Sequence, residues 1–168
     1  PNQGKGTALR MGFAHALAAG AAGVITLDAD GQHDPAEIPL FVDNFRRTQA
    51  ELVIGCRDFS KMPPIRRLAN TTGRWLLSWA MGQRVEDNQS GYRLIGRRLM
   101  QAMLDSDEHG FEFEVEMVAR CIRMGWGVGW VPISTIYAGE KSHIKPLPHA
   151  KNFMRVVMKI RKERTRGG

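Results

Sequence analysis

Two carboxylates one residue apart, Asp28 and Asp30, end the apolar run Val24-Ile25-Thr26-Leu27 and open into the polar turn Gly31-Gln32-His33-Asp34-Pro35. On an extended segment side chains alternate with period two, so the two acids share a face. Like charges held that close raise each other's energy, and a cation between them relieves it. Oxygen ligands suit a hard ion such as magnesium, manganese or calcium, and magnesium commonly shares its shell with substrate phosphates. Gln32 offers a neutral carbonyl two residues further on. Asp34 and Pro35 read as the N-cap and first residue of the next helix, and capping is also the competing account of Asp28 and Asp30. Spacing excludes a calcium loop of the EF-hand kind. Counted from Asp28, the positions that need Gly and Glu hold His33 and Pro39.

Other residues able to do chemistry are scattered along the chain. Arg57 closes a β-rich run, and Arg66 and Arg67 open a helix. Guanidinium forks donate paired hydrogen bonds in a plane, which suits phosphate oxygens, although surface solubility explains any one of them as well. Asp87-Asn88-Gln89-Ser90-Gly91-Tyr92-Arg93 is a polar turn entering a strand. Asp87 is placed there either as a general base or as a turn former. Glu112, Glu114 and Glu116 alternate with Phe113, Val115 and Met117, and on a helix the three acids cannot all face one way. Ser142-His143-Ile144 follows Tyr137 in a loop, where a lone His serves as a hydrogen-bonding partner more often than as a catalyst. Gly4-Lys5-Gly6-Thr7 at a helix start invites a phosphate-loop reading. The match is incomplete, because Gly6 stands where Ser or Thr should follow Lys.

The elements that must hold these residues follow from hydrophobic period. Helices are expected at Thr7–Ala19, Pro35–Arg47, Arg66–Met81, Arg97–Leu104 and Glu112–Met124, and strands at Gly23–Leu27, Glu51–Arg57 and Gly91–Ile95. Val128–Tyr137 reads as extended and broken by Pro132. Trp75, Leu76 and Trp79 mark the apolar side of the long helix, and Val115, Val118, Ala119 and Ile122 that of the last one. Alternation at this spacing predicts an α/β fold with a mainly parallel sheet covered by helices on both faces. Ligands of such sheets bind beyond the carboxyl ends of the strands, where Asp28 and Asp30 lie.

With 168 residues, 43% hydrophobic and 24% charged, the chain can build one ordinary core. Its two cysteines, Cys56 and Cys121, read as buried thiols and not as a disulfide or zinc framework. No apolar run reaches the roughly 18 residues of a membrane-spanning helix. The net charge of +7 is concentrated at one end. Lys151, Arg155, Lys159, Arg161, Lys162, Arg164 and Arg166 stand against Glu163 alone, a net +6 that leaves the rest of the chain at +1. A charge confined to a tail argues less for nucleic acid than a basic face would, so nucleic acid is not expected as a partner. Phe153, Val156, Val157 and Ile160 make the stripe of an amphipathic helix. Docking on the body is its expected role, with an anionic membrane surface as the second.

Taken in order, Asn2-Gln3-Gly4-Lys5-Gly6, Asp28-Ala29-Asp30-Gly31-Gln32-His33, Gly55-Cys56-Arg57, Arg66-Arg67 and Asp87 with Ser90-Gly91-Tyr92-Arg93 resemble the family 2 glycosyltransferases. Phe113-Glu114, Val131-Pro132 and Tyr137 with Ser142-His143-Ile144 continue the match, which is with the dolichyl-phosphate mannosyltransferase-like, polyprenyl-phosphate branch. The resemblance implies a GT-A (nucleotide-diphospho-sugar transferase) fold. It implies an inverting, metal-dependent transfer of a hexose from a GDP- or UDP-sugar to a polyprenyl or dolichyl phosphate, at the cytoplasmic face of the membrane. Asp28, Asp30 and Gln32 would be the ligands of Mg2+ or Mn2+ against the donor diphosphate. Arg57, Arg66, Ser90 and Ser142 would hold the acceptor phosphate, and Asp87 would act in catalysis or shape the acceptor site. Family members begin with strand and helix units that bind the nucleotide base and ribose, and this chain opens after them. Residues 1–148 are therefore expected to be the C-terminal two thirds of the domain, binding donor poorly by themselves, and 149–168 a basic tail. The alternative is a non-catalytic basic module that binds membrane surface or nucleic acid through that tail.

Overall fold

The computed structural model describes residues 4–62, 64–110, 112–134 and 146–166, with the backbone alone for residues 61, 66, 146–152 and 166. Strands β1 (Gly23–Thr26), β2 (Leu52–Arg57), β3 (Arg93–Gly96) and β4 (Val128–Ile133) form one sheet in the order β1-β3-β2-β4. β2 and β4 run parallel, whereas β3 is antiparallel to both of its neighbours, with Arg93 opposite Thr26 on one side and Ile54 on the other. Three strands therefore share a direction, as the alternation predicts, and the fourth is inserted reversed, which makes the sheet mixed. The reversal follows from where the chain re-enters. Asp87 sits against Arg57, so the chain comes back to the edge at which β2 ended and β3 has to run away from it. Pro132 is tolerated within β4 because that strand lies at the sheet edge.

Alternation along the strands divides the core in two. Val53, Leu94, Val131 and Ile133 face α2 (Ile38–Thr48), where Phe41 stacks on Tyr92 with ring centroids 4.2 Å apart. Leu52, Ile54 and Ile95 face the opposite way into a larger cluster. That cluster is completed by α1 (Lys5–Ala18), α3 (Pro64–Met81), α4 (Arg97–Met103), α5 (Glu112–Arg123) and α6 (Pro146–Arg166). The C-terminal stripe docks as its spacing suggests, with Val156, Val157 and Ile160 buried against α3 and α5. No helix among the described residues is long and apolar enough to cross a membrane.

One face is assigned differently from the expectation. Leu77, Ala80 and Met81 are the core side of α3, while Trp75 and Trp79 are 67% and 45% exposed. Gly73, Leu77 and Ala80 make a narrow stripe that lets α6 approach, with Phe153 against Gly73, and this turns both indoles outward. On α5 the buried set is Phe113, Glu114, Val115, Met117, Val118, Ala119 and Cys121, with Ile122 only partly covered. Both cysteines are free thiols, and burial pushes each up to about 12.

Candidate active site

The edge where β1 and β2 end and β3 begins gathers most of the residues singled out above. β1 stops at Thr26, so Asp28 and Asp30 lie beyond the sheet on a turn and not on one extended face. Thr26 Oγ1 donates to the Gly91 carbonyl at 3.0 Å and ties this end to the turn preceding β3. Asp30 is exposed, and its Oδ1 accepts the Gln32 amide at 3.0 Å, a side-chain turn completed by Gly31 at φ 75°. Asp28 points elsewhere. Its Oδ1 accepts from Lys5 Nζ at 2.6 Å, its Oδ2 lies 3.8 Å from His33 Nε2, and a Cβ on Gly91 would overlap the carboxylate. The cation that the sequence demands beside Asp28 is therefore, in this structure, the Lys5 ammonium.

Lys5 comes from the first residue of α1 and also lies 3.2 Å from Glu114 Oε2 at the start of α5. Contact with the His33 ring, and then with Lys5, holds the Asp28 carboxyl well below the usual carboxylate range in spite of burial. Burial works to lower Lys5, but Glu114 and Asp28 outweigh it and hold the ammonium above its ordinary value. Glu114 is 3% exposed, and its Oε1 lies 3.7 Å from Nε of the fully buried Arg93. Arg93 in turn donates to the carbonyls of Ser90 at 2.8 Å, Asn88 at 3.2 Å and Glu114 at 2.7 Å. A buried guanidinium is stable only when its donors are met in this way.

Across the edge, Asp87 is fully buried and forked with Arg57, Nε to Oδ2 at 2.7 Å and Nη2 to Oδ1 at 3.0 Å. Its oxygens also accept the amides of Arg57 and Gln89. Of the two roles open to Asp87, this occupancy favours the turn former, because both carboxylate oxygens are engaged in positioning Arg57 and the turn. Ser90 is 1% exposed and its Oγ accepts the Tyr92 amide, so its hydroxyl supports the turn. Arg66 falls in the first turn of α3. Tyr137, Ser142, His143 and Ile144 lie outside the described residues.

Among the described residues no three His, Cys, Asp or Glu come together as a metal cage. The donor set nevertheless fits a hard ion bound together with a ligand. Magnesium-type sites commonly use one or two carboxylates and take their remaining oxygens from substrate phosphates and water. Exposed Asp30 and half-buried Gln32 offer such oxygens on one turn, with Asp28 beside them.

Three contributors do not stand out from the sequence pattern. Lys5 belongs to the incomplete phosphate loop. Glu114 is one acid among three, although Met117, Val118 and Cys121 follow it at i+3, i+4 and i+7, which places it on the buried stripe. Arg93 is a charge inside a four-residue strand buried throughout, and a charge set in an otherwise apolar strand is itself the signal of a buried partner.

Residues 1–107 match the glycosyl transferase family 2 model. An undecaprenyl-phosphate mannosyltransferase of Micrococcus luteus is 32% identical over 143 residues, covering 79% of this chain and 57% of that protein. A polyprenol monophosphomannose synthase of Mycolicibacterium smegmatis is 33% identical over 142 residues, 78% of this chain and 52% of the relative. The chain thus spans little more than half the length of these curated relatives. Glucosyl-3-phosphoglycerate synthase from Mycobacterium tuberculosis, solved with UDP, superposes with a TM-score of 0.69 at 19% identity, over 96% of this chain and 57% of that one. The same enzyme solved with Mn2+, UDP-glucose and glycerol 3-phosphate gives 0.60 at 19% identity, over 95% and 55%. Fold and sequence agree, and the chain belongs to glycosyl transferase family 2, with a GT-A fold.

Proposed function

We propose that this chain supplies the catalytic edge of an inverting glycosyltransferase that moves a hexose from a nucleotide-diphosphate sugar to a polyprenyl phosphate. One observation carries the reading: the Asp28–Gln32 turn and the Arg57–Asp87 fork stand at the same sheet edge, one suited to a diphosphate with its ion and the other to a second phosphate. The relatives named for sugar transfer to polyprenyl carriers support the acceptor class. In the transfer an acceptor phosphate oxygen bonds to the anomeric carbon as the bond from that carbon to the donor diphosphate breaks. Asp30 and Gln32, with Asp28 beside them, would hold Mg2+ or Mn2+, which supplies positive charge against the departing diphosphate. Arg57, fixed by Asp87, presents positive charge to the acceptor. A phosphate monoester is already largely ionised near neutral pH, its second pKa being about 6, so a general base is not required.

Membrane association at the cytoplasmic face belongs to the same reading, through a surface different from the tail stripe. Ile65, Leu68, Thr72, Trp75 and Trp79 share one exposed face of α3 at heptad spacing. Arg161 of α6 lies 4.8 Å over the Trp79 ring, and exposed Met154 and Met158 share its helix face. Indoles rimmed by basic residues suit the headgroup level of an anionic bilayer.

The deciding assay is transfer of labelled hexose from GDP- and UDP-sugars to polyprenyl phosphate by the full-length protein in Mn2+ or Mg2+. Asp30→Ala should abolish turnover, and unchanged turnover refutes the ion-binding role of this turn. Flotation with anionic and neutral vesicles tests the surface: Trp75→Ala with Trp79→Ala should lose the anionic-vesicle fraction while the fold persists.

A further inference from the structure

We propose that Lys5 competes with the divalent ion for Asp28, and that Glu114 is the place to which its ammonium withdraws when an ion binds. The inference rests on the ion-binding reading of the Asp28–Gln32 turn and adds two residues to it. Lys5 Nζ is 2.6 Å from Asp28 and 3.2 Å from Glu114, so one ammonium bridges two carboxylates from separate elements. The Lys5 side chain is 42% exposed and Glu114 is almost wholly covered, so the lysine is the partner free to move. Asp28 itself is confined, with His33 on its second oxygen and Gly91 packed against it. A cation arriving at Asp28 therefore displaces the ammonium and not the carboxylate.

Glu114 makes that displacement inexpensive. Lys5 keeps one carboxylate partner throughout, so the ammonium exchanges partners and does not stand unpaired. Arg93 lies 3.7 Å from the other Glu114 oxygen, so the carboxylate is held in place beside Lys5. Positive charge next to Asp28 is thus present with or without the ion, which avoids leaving crowded carboxylates uncompensated.

The two residues act on ion affinity with opposite signs. Lys5→Met removes the competitor and should tighten Mn2+ binding roughly twofold to fivefold, the range expected when an ion pair of this exposure is no longer broken. Glu114→Gln removes the resting place and should weaken binding by a similar factor. In the Lys5→Met background Glu114→Gln should change little, because it acts through the lysine. A purely structural role would weaken binding in every variant.

Electron paramagnetic resonance titration of Mn2+ in the presence of inorganic pyrophosphate reads this without turnover and without a nucleotide. Circular dichroism confirms folding, and if Glu114→Gln does not fold, the sign for the half-exposed Lys5→Met decides alone. Binding by wild type that is unchanged or weakened in Lys5→Met overturns the proposal and leaves the ion-binding reading standing. Binding in Lys5→Met where wild type shows none supports it. Absence of binding in both refutes the ion-binding reading and this proposal with it.

Discussion

Replacing Asp87 with alanine tests whether the β2 end of this edge is held by the fork to Arg57. The carboxylate is fully buried and meets four N–H donors, two from the guanidinium and two from the backbone amides of Arg57 and Gln89. Removing one partner of a buried pair costs about 3–5 kcal/mol, mostly because the other charge is left uncompensated. Arg57 keeps 15% of its side chain exposed, so water reaches it and the lower end, about 3 kcal/mol, applies. For a chain of 168 residues each kcal/mol moves the melting midpoint by about 2–4 °C, which predicts a fall of about 6–12 °C. Thermal unfolding followed by far-ultraviolet circular dichroism measures it. Combining Arg57→Met with Asp87→Leu removes both charges and should recover about half the loss, since the two backbone amides still lack their acceptor. A fall below about 2 °C for Asp87→Ala, or a double variant less stable than the single one, refutes the argument that the buried charge pair holds this turn.

Glu51 accepts the amides of Arg98 at 3.0 Å and Leu99 at 3.3 Å and so caps α4 from β2's approach; Glu51→Ala should cost about 1–2 kcal/mol by urea unfolding. Phe41 is fully buried and stacked on Tyr92, so Phe41→Ala should cost about 3–5 kcal/mol in the same measurement, with no effect on Mn2+ binding. The depressed Asp28 carboxyl contributes stability that is present above its unfolded value of 3.8 and lost as pH falls toward its folded value. The raised Lys5 contributes stability that is present below 10.5 and lost as pH climbs past it. Lys5→Met should therefore flatten the stability profile at both ends, and an unchanged acid limb would show that Lys5 contributes little beside His33.

The sequence is most legible where one period dominates. β2, α2 and α5 stand within a few residues of their expected limits because each presents a clear apolar side to a sheet or a core. α3 is harder for a physical reason. Its buried stripe is built from Gly73, Leu77, Ala80 and Met81, two of them small residues with little hydrophobic signal, while its largest apolar groups face outward. The direction of β3 is not readable either, because local patterning does not report which edge the chain returns to. The contact that fixes it, Arg57 with Asp87, spans 30 residues. At the site, the Asp28–Gln32 turn is visible because charge after an apolar run demands a partner. The identity of that partner is not, since Lys5 lies 23 residues away in sequence.

That partner changes what the Asp28–Ala29–Asp30 spacing means. Two carboxylates on one extended face would form a symmetric pair of ligands, but the strand ends too early for that. The turn instead sends Asp28 inward to Lys5 and leaves Asp30 exposed, its Oδ1 bound to the Gln32 amide. The inward acid is joined through Lys5 and Glu114 to Arg93, and Arg93 grips the same turn that carries Asp87 and so Arg57. Charges alternate in sign along this chain of contacts, so each buried or half-buried group meets an opposite one and the edge is stable without a ligand. On the proposed reading a ligand diphosphate with its ion would enter at the exposed acid and disturb only the link at Lys5, the one cation on the path with much of its side chain in solvent. The exposure of that single link is the reason to place the response to ion binding there and to regard the Arg93 and Arg57 ends as fixed.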